Sequence, residues 1–259
     1  MRLFTRVIYN GGMMTFSDAA LKEMGLYPLW KARGVVSVEN TQPIDYTHKN
    51  ISPVLRDNSA RGQEIQQMDW QQLKSSIAAC TQCGLHQTRR NTVAGVGDIN
   101  AQWMFVGEGP GEEEDAQGEP FVGQAGKLLD NMLAAIELSR QKNVYITNVL
   151  KCHTVENRNP HADEISSCAP YLQRQIQLLQ PKLIVALGKV AADQLLGGDA
   201  TIASLRGKIH SVQGMPMIVT YHPAYLLRTM ADKAKAWEDL CFARATMASL
   251  AAQAAANTV

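Results

Sequence analysis

Apolar runs and amphipathic segments alternate along the chain from residue 102 onward. The apolar runs have the length and composition of buried strands, and they read "WMFVG", "VYITNVL", "KLIVALG" and "MPMIVTYH". The segments with helical spacing cover residues 124–138, 163–179, 189–197 and 233–255. Strands separated by helices of this length predict a parallel sheet with helices on both faces. In such a sheet, ligands bind outside the carboxyl ends of the strands.

The pattern before residue 68 is different. Residues 15–33 have the spacing of a short amphipathic helix. Residues 34–65 are rich in Asn, Thr, Pro, Ser and charged residues, without a steady period. We therefore predict a flexible N-terminal extension over residues 1–67, made of this helix and a linker, and a folded α/β domain over residues 68–259.

Composition and charge place few limits on function. The chain has 259 residues, 46% of them hydrophobic, and a net charge of +1. A near-neutral charge neither indicates nor excludes a nucleic-acid partner, so any basic surface must be local. No apolar window approaches the roughly 18 residues of a membrane-spanning helix, and the amino terminus lacks the pattern of a signal peptide. We therefore expect a cytoplasmic protein with no membrane partner.

A loop rich in glycines and carboxylates follows the first apolar run. Residues 107–123 read "GEGPGEEEDAQGEPFVG". The loop matches neither phosphate-binding pattern: Phe121 stands where a P-loop needs its first glycine, and the glycine spacing is wrong for a dinucleotide site. Two other predicted strands also end in polar residues, at Asn148 and His222. Polar side chains thus gather where a ligand would bind.

Four of the five cysteines form a pattern typical of a metal site. Cys80 and Cys83 form a C-x-x-C pair, and Cys152 and Cys168 form a second, wider pair. Structural disulfides are rare in cytoplasmic proteins. Four thiolates suit either tetrahedral zinc or an iron–sulfur cluster, and their spacing alone does not decide between the two. Cys241 lies in a helical run, where packing is the expected role.

Three motifs and these cysteines together resemble the family 4 uracil-DNA glycosylases of bacteria and archaea. The motifs cover about residues 70–245 in the family's order, and they read "VGEGPGEEEDAQGEPFVGQAGKLLDNML", "YITNVLKC" and "TYHPAYLLR". The resemblance implies a three-layer α/β/α fold with a four-stranded parallel sheet. It implies a bacterial base excision repair enzyme that hydrolyses the N-glycosidic bond of deoxyuridine and leaves an abasic site. It also implies that the four cysteines bind a 4Fe–4S cluster rather than zinc.

The resemblance assigns three residues to recognition of the extruded base. A glycosylase holds the flipped base in a snug pocket and reads its Watson–Crick edge. Phe121 matches the family's stacking position. The amide of Asn148 offers one donor and one acceptor, which match O4 and N3–H of uracil. Glu114 stands where its side chain would exclude the C5 methyl group of thymine.

Glu108 and His222, together with Asn148, are assigned to the chemistry of bond cleavage, whereas Gly109 and His222 are assigned to binding of the base. Glu108 lies at the end of the first strand, where a carboxylate would stabilise positive charge on the sugar or orient water. Gly109 follows it, as in family 4, where other uracil glycosylases have Asp or Asn. His222 would donate to uracil O2 as negative charge builds on the departing base.

The segment after His222 is predicted to contact DNA. An apolar wedge there would fill the gap left by the flipped nucleotide. The expected DNA contacts are Tyr225, Leu226, Leu227 and Arg228. Further cations available for phosphates are Lys127, Lys151, Lys189, Arg206 and Lys208.

Two features depart from the family pattern or lie outside it. The segment after Cys152 reads "HTVENRNPHADE", where the family has an Arg-Pro-Pro-like turn. Residues 20–34, which overlap the predicted helix over residues 15–33, resemble the amino-terminal segment of the psi subunit of the bacterial clamp loader. That resemblance predicts docking on a replication partner, which would raise the local concentration of the enzyme at replication forks.

Two other functions remain open at this stage. The chain would be a catalytically weak, glycosylase-like module that binds DNA or a repair partner, or an iron–sulfur electron-transfer protein. Neither needs Phe121, Asn148 and His222 together. We therefore predict a monomeric, monofunctional uracil-DNA glycosylase, associated with the nucleoid when it is bound to DNA.

Overall fold

The computed structural model describes residues 5–9, 12–16 and 59–256. The chain divides into two units, residues 1–45 and 46–259. In the first unit, β1 (Thr5–Tyr9) pairs antiparallel with β2 (Gly12–Phe16). The predicted helix over residues 15–33 begins inside β2, and its remaining residues lie outside the described part of the chain.

The second unit alternates strands with helices, as the apolar pattern predicts. Its strands are β3 (Val96–Gly97), β4 (Trp103–Gly107), β5 (Val144–Asn148), β6 (Leu183–Leu187), β7 (His210–Val212) and β8 (Met215–Thr220). Its helices are α1 (Ala60–Gln67), α2 (Trp70–Ala78), α3 (Glu112–Gln117), α4 (Gln124–Ala135), α5 (Ala162–Leu179), α6 (Lys189–Leu196), α7 (Ile202–Leu205), α8 (Pro223–Arg228) and α9 (Lys233–Ala256).

The six strands of this unit form one sheet in the order β3-β5-β4-β6-β8-β7. The central strands β5, β4, β6 and β8 are mutually parallel, which confirms the predicted four-stranded parallel sheet. The edge strands β3 and β7 pair antiparallel and were not predicted. Strands of two or three residues are too short to produce a readable alternation of apolar and polar positions.

Helices cover both faces of the sheet, so the three-layer arrangement is confirmed. Met104 and Val106 pack on one face with residues of α5 and α6, whereas Trp103 and Phe105 pack on the other with residues of α4 and α9. Every residue of β4, β5 and β6 is buried, which explains their continuous apolar sequence. In the described part of the chain, no helix has the length and apolar character needed to cross a bilayer.

The folded unit begins before the predicted boundary at residue 68. Helix α1 falls within the stretch interpreted as linker, and the side chain of Ser59 caps it by accepting from the amide of Gly62. Ile65 is buried against Leu73 and Ile77 of α2. The boundary was wrong because a two-turn helix with few apolar residues has too weak a period to be recognised in sequence.

Parallel pairing brings the polar strand ends to one edge of the sheet. Gly107 at the end of β4 is in register with Asn148 at the end of β5. The amide of Gly188, just after β6, donates to the carbonyl of Thr220 at the end of β8 at 2.8 Å. Residues that are far apart in the sequence therefore surround a common space at this edge.

Candidate active site

A cleft of about 780 Å³ opens at the carboxyl ends of the four parallel strands. Most of the residues predicted from the sequence to form the site line it, namely Glu108, Gly109, Glu114, Phe121, Asn148, His222, Tyr225 and Arg228. They come from the ends of β4, β5 and β8, from helices α3 and α8 and from the loop after α3. The fold thus brings together side chains that are more than a hundred positions apart.

Asn148 presents a buried amide oxygen to this cleft. Its Oδ1 has no hydrogen-bond partner among the described residues. A Cβ atom at Gly107 would lie 2.4 Å from this oxygen and 2.5 Å from Cζ of Phe121. Glycine at position 107 is therefore needed for the amide and the phenyl ring to approach each other.

Phe121 is buried and is held in a strained backbone conformation. Its φ is +56°, which is uncommon for a residue with a side chain. Arg140 Nη2 donates to its carbonyl oxygen at 2.8 Å, and helix α4 approaches so closely that a Cβ at Gly126 would lie 1.8 Å from that oxygen. These contacts fix the phenyl ring, whose centroid lies 5.6 Å from that of His222.

His222 has a neutral imidazole with one unused donor. Its Nδ1 accepts the amide of Ala224 at 3.2 Å as the N-cap of α8, and this contact assigns the proton to Nε2. Nε2 is buried and has no partner among the described residues. Burial lowers the pKa of His222 to about 4, and the positive charge of Arg228 acts in the same direction, against the carboxylate of Glu114.

The three carboxylates of this region have different environments. Glu114 accepts from the amides of Gly111, Val122 and Gly123 at 2.9–3.0 Å, so its side chain joins the two ends of the loop. Asp115 accepts from backbone amides of residues 90 and 91, a structural role. Glu108 lines the cleft, and burial raises the pKa of its carboxyl group.

Helix α8 places some of the residues predicted to contact DNA in the core and others on the surface. Leu226 is only 1% exposed and packs in the core, so its prediction as a DNA contact was wrong. It lies three residues after the buried Pro223, and residues at this spacing share one face of a helix. Leu227 is 42% exposed, and Met230, which follows the helix, is 64% exposed.

Some residues of the cleft were missed by the sequence interpretation. Tyr221 stacks on Tyr225 with ring centroids 5.3 Å apart, and its position directly before His222 was an available signal. The loop after β5 contributes Thr154, Asn157, Asn159 and Pro160. The sequence analysis noted this segment as a departure from the family pattern but assigned none of the four residues to the site. The ion pair between Arg158 and Glu164 ties the loop to the start of α5.

The four predicted metal-binding cysteines converge on a second, smaller void. Cys80, Cys83, Cys152 and Cys168 all line it, whereas Cys241 does not. Burial raises the pKa of the thiols of Cys83, Cys152 and Cys168, the last to about 12. Arg89 Nη1 lies 3.1 Å from Sγ of Cys152. Within the described residues, no group of three or more Cys, His or carboxylate side chains is arranged to hold a single metal ion.

The pKa of His222 gives a measurable prediction. Because the folded-state pKa is below the ordinary value, the imidazole stays neutral from neutral pH down to about 4. Proton–nitrogen correlation NMR should show a neutral ring protonated at Nε2 throughout pH 8 to 5. His210, which bonds the carbonyl of Leu205 on the edge of the sheet, serves as the internal comparison. A midpoint near 6.5 for His222, or a proton on Nδ1, would contradict the assignment.

Comparison with known proteins agrees with this geometry. A family model described as uracil DNA glycosylase superfamily matches residues 94–241. A type-4 uracil-DNA glycosylase of Archaeoglobus fulgidus is 46% identical over 159 residues, which are 58% of this chain and 79% of the relative. Type-4 enzymes of Pyrobaculum aerophilum (41% over 182 residues, 67% and 92%) and Thermotoga maritima (43% over 159 residues, 61% and 82%) are also similar. The match covers more than half of the chain, including Asn148 at the end of β5 and His222 just after β8, and the chain belongs to the uracil DNA glycosylase superfamily.

Proposed function

We propose that the chain is a monofunctional uracil-DNA glycosylase of base excision repair. It hydrolyses the N-glycosidic bond of a flipped-out deoxyuridine and leaves an abasic site. The observation that carries this proposal is a pair of buried polar atoms, Oδ1 of Asn148 and Nε2 of His222, in one cleft beside Phe121. Neither atom has a hydrogen-bond partner in the part of the chain that the structure describes. Buried polar atoms are rarely left unpaired, and at a binding site the ligand supplies the missing partner.

Uracil supplies a matching set of partners for Asn148. The unpaired Oδ1 accepts from N3–H of the base, and the amide nitrogen donates to O4. Cytosine presents the reverse pattern and leaves these groups unpaired, which is costly in a buried site. Phe121 stacks on the base, and its braced backbone keeps the ring in place.

Glu114 supports the exclusion of thymine. Its three backbone hydrogen bonds prevent the side chain from turning aside, so the wall of the pocket is rigid. Gly109 contributes backbone without a side chain to the same wall. A rigid wall at the C5 position discriminates by steric clash.

Cleavage breaks the bond between C1′ and N1, and both electrons leave with uracil. The neutral imidazole of His222 donates its Nε2–H to O2 as the charge develops, and a neutral donor needs no proton transfer to do so. Glu108 stabilises the oxocarbenium-like sugar electrostatically. The oxygen of water then bonds to C1′, and water loses one proton to the solvent, from which the departing uracil anion takes one up. These donors act in a cleft where burial strengthens electrostatic interactions.

The exposed side of α8 is the proposed DNA contact. Leu227 provides the apolar wedge that Leu226 cannot, because Leu226 is buried. Arg228 and Tyr225 line the mouth of the cleft beside it. Met230 extends the exposed apolar surface of the same segment. The proposed substrate of the enzyme is uracil-containing DNA.

We further propose that the cysteine site holds a 4Fe–4S cluster. The donor set fits, since four cysteines line one void and four thiolates are the usual ligands of such a cluster. Arg89, beside Cys152, complements the negative charge of thiolate ligands. The cluster would join the segment after α2, the end of β5 and helix α5, and we assign it this structural role.

Loss of Asn148 or His222 tests the function directly. Asn148→Ala and His222→Ala should each slow single-turnover excision of uracil from an oligonucleotide on the order of 10² to 10³-fold, the scale for removing one electrostatic donor at a reacting group. Asn131→Ala, on the exposed side of α4, and His210→Ala are matched controls that should retain the wild-type rate. If the wild-type protein binds the oligonucleotide tightly but releases no uracil, the result would instead favour a DNA-binding module without glycosylase activity.

Metal analysis tests the cluster. Protein purified without oxygen should be brown and contain about four iron atoms per chain. Cys152→Ser should lose the visible absorbance and lower the thermal stability, because one ligand and its cross-link are removed. Cys241→Ser, at a cysteine outside the void, should change neither property. One zinc per chain without iron would contradict this proposal.

The proposal that residues 15–33 dock on a clamp-loader subunit rests on the sequence alone. Trp30 is the apolar residue expected to contribute most to such docking, because buried aromatic residues dominate interfaces. A pull-down with clamp-loader subunits should recover the partner with the wild-type chain and lose it with Trp30→Ala. Equal recovery with both chains, or no recovery with either, would exclude docking through this residue.

A further inference from the structure

Lys151 is a buried cation behind the base-reading residue. Its side chain is only 1% exposed, so the expectation that it would contact a phosphate was wrong. Its Nζ contacts three oxygens, Thr147 Oγ1 at 2.8 Å, the carbonyl of Asn148 at 2.6 Å and Gln175 Oε1 at 2.7 Å. An ammonium group has three N–H donors, and these three contacts use all of them.

The contact with the carbonyl of Asn148 fixes a specific peptide group. The amide on the other side of that peptide, at Val149, donates to the carbonyl of Gly107 at 2.9 Å. The peptide that follows Asn148 is therefore held from both sides, by Lys151 at its oxygen and by β4 at its nitrogen. The direction in which the side chain of Asn148 leaves the backbone is set by the two peptide planes that share its Cα, and this peptide is one of them.

The acceptors of Lys151 are themselves held in place. Gln175 donates from Nε2 to the carbonyl of Ala94 at 2.6 Å, and Thr147 donates to the same carbonyl at 2.9 Å. No carboxylate pairs with Lys151 in the described part of the chain. Burying a charge without an ion pair is costly, and removal of its hydrogen bonds would increase that cost. Burial lowers the pKa of Lys151 to about 7, and the neighbouring thiols of Cys168 and Cys152 act against this shift. Three acceptors around one Nζ need three N–H donors, which the ammonium form has and the neutral amine lacks.

We propose that Lys151 is a positioning residue for uracil recognition: its ammonium group holds the Asn148 peptide so that the side-chain amide faces the base. This inference rests on the proposed glycosylase function. Lys151 does not line the catalytic cleft, so it acts through Asn148 and not on the substrate. It does line the void of the four cysteines, and it thereby links that site to the base-reading strand.

A double-mutant cycle with Asn148 separates positioning from general destabilisation. Lys151→Met keeps the length of the side chain and removes the ammonium group. It should slow single-turnover uracil excision on the order of tenfold, the scale for losing a charge-assisted hydrogen bond. In the Asn148→Ala background the same substitution should change the rate less than about twofold, because the group that Lys151 positions is gone. An undiminished effect in that background would overturn the inference.

A pair of Thr→Val substitutions provides a milder, matched test. Thr147→Val removes one acceptor of Lys151 and should slow excision severalfold in the wild-type chain but not in Asn148→Ala. Thr246→Val removes a buried hydroxyl that donates to the carbonyl of Phe242 in α9, and it should leave both rates unchanged. If Lys151→Met does not fold, Thr147→Val decides alone, and a wild-type rate for that variant would overturn the inference.

Iron content and thermal unfolding distinguish a loss of positioning at Asn148 from damage at the cysteine site. Iron content and thermal unfolding of each variant identify any change at the cysteine site, and the cycle should show coupling among variants that retain their iron. A wild-type chain that excises no uracil would refute the proposed function and this inference with it. A wild-type chain that excises uracil, together with additive effects of Lys151→Met and Asn148→Ala, would refute the inference alone.

Discussion

The register between β4 and β5 is the constraint on which the site depends. It sets Gly107 beside Asn148, and the missing side chain at Gly107 leaves the space in which the amide of Asn148 and the ring of Phe121 meet. A shift of one residue would turn every side chain of the strand to the opposite face and would remove Asn148 from the cleft. Both faces of these strands are buried under helices, so the register is strongly specified by the core.

Several features of the site are energetically unfavourable in themselves, and contacts with the surrounding structure stabilise them. Phe121 has a left-handed backbone, and Asn148 and His222 keep polar atoms buried without partners. Glu114 and Arg140 brace the backbone next to Phe121, which compensates for the strain with several hydrogen bonds. Such strain is typical of functional sites, where groups are held ready for a ligand. Under the proposed function, the flipped base would complete the hydrogen bonding of this cleft.

A buried polar network lies behind the cleft that contains Asn148. Lys151, Thr147 and Gln175 form a buried network between β5 and α5, and Lys151 borders the void of the four cysteines. The cysteine site and the base-reading residue are thus close in the fold, although they belong to different cavities. Under the proposed function, this proximity would give the proposed cluster a structural role in an enzyme whose reaction transfers no electrons.

The sequence by itself determined the central strands and the helices α4, α5, α6 and α9, because buried parallel strands produce continuous apolar runs and their polar ends mark the binding edge. The resemblance to family 4 added the identity of several residues that line the cleft. It did not determine α1 or the edge strands, whose short segments have too few residues to show a period. Tertiary structure alone decided that Leu226 faces the core while Leu227 faces solvent, and that Lys151 is buried while its charge is satisfied by backbone and neutral side chains. Burial of an individual side chain depends on which elements pack against it, and that information is distributed over residues far apart in the chain.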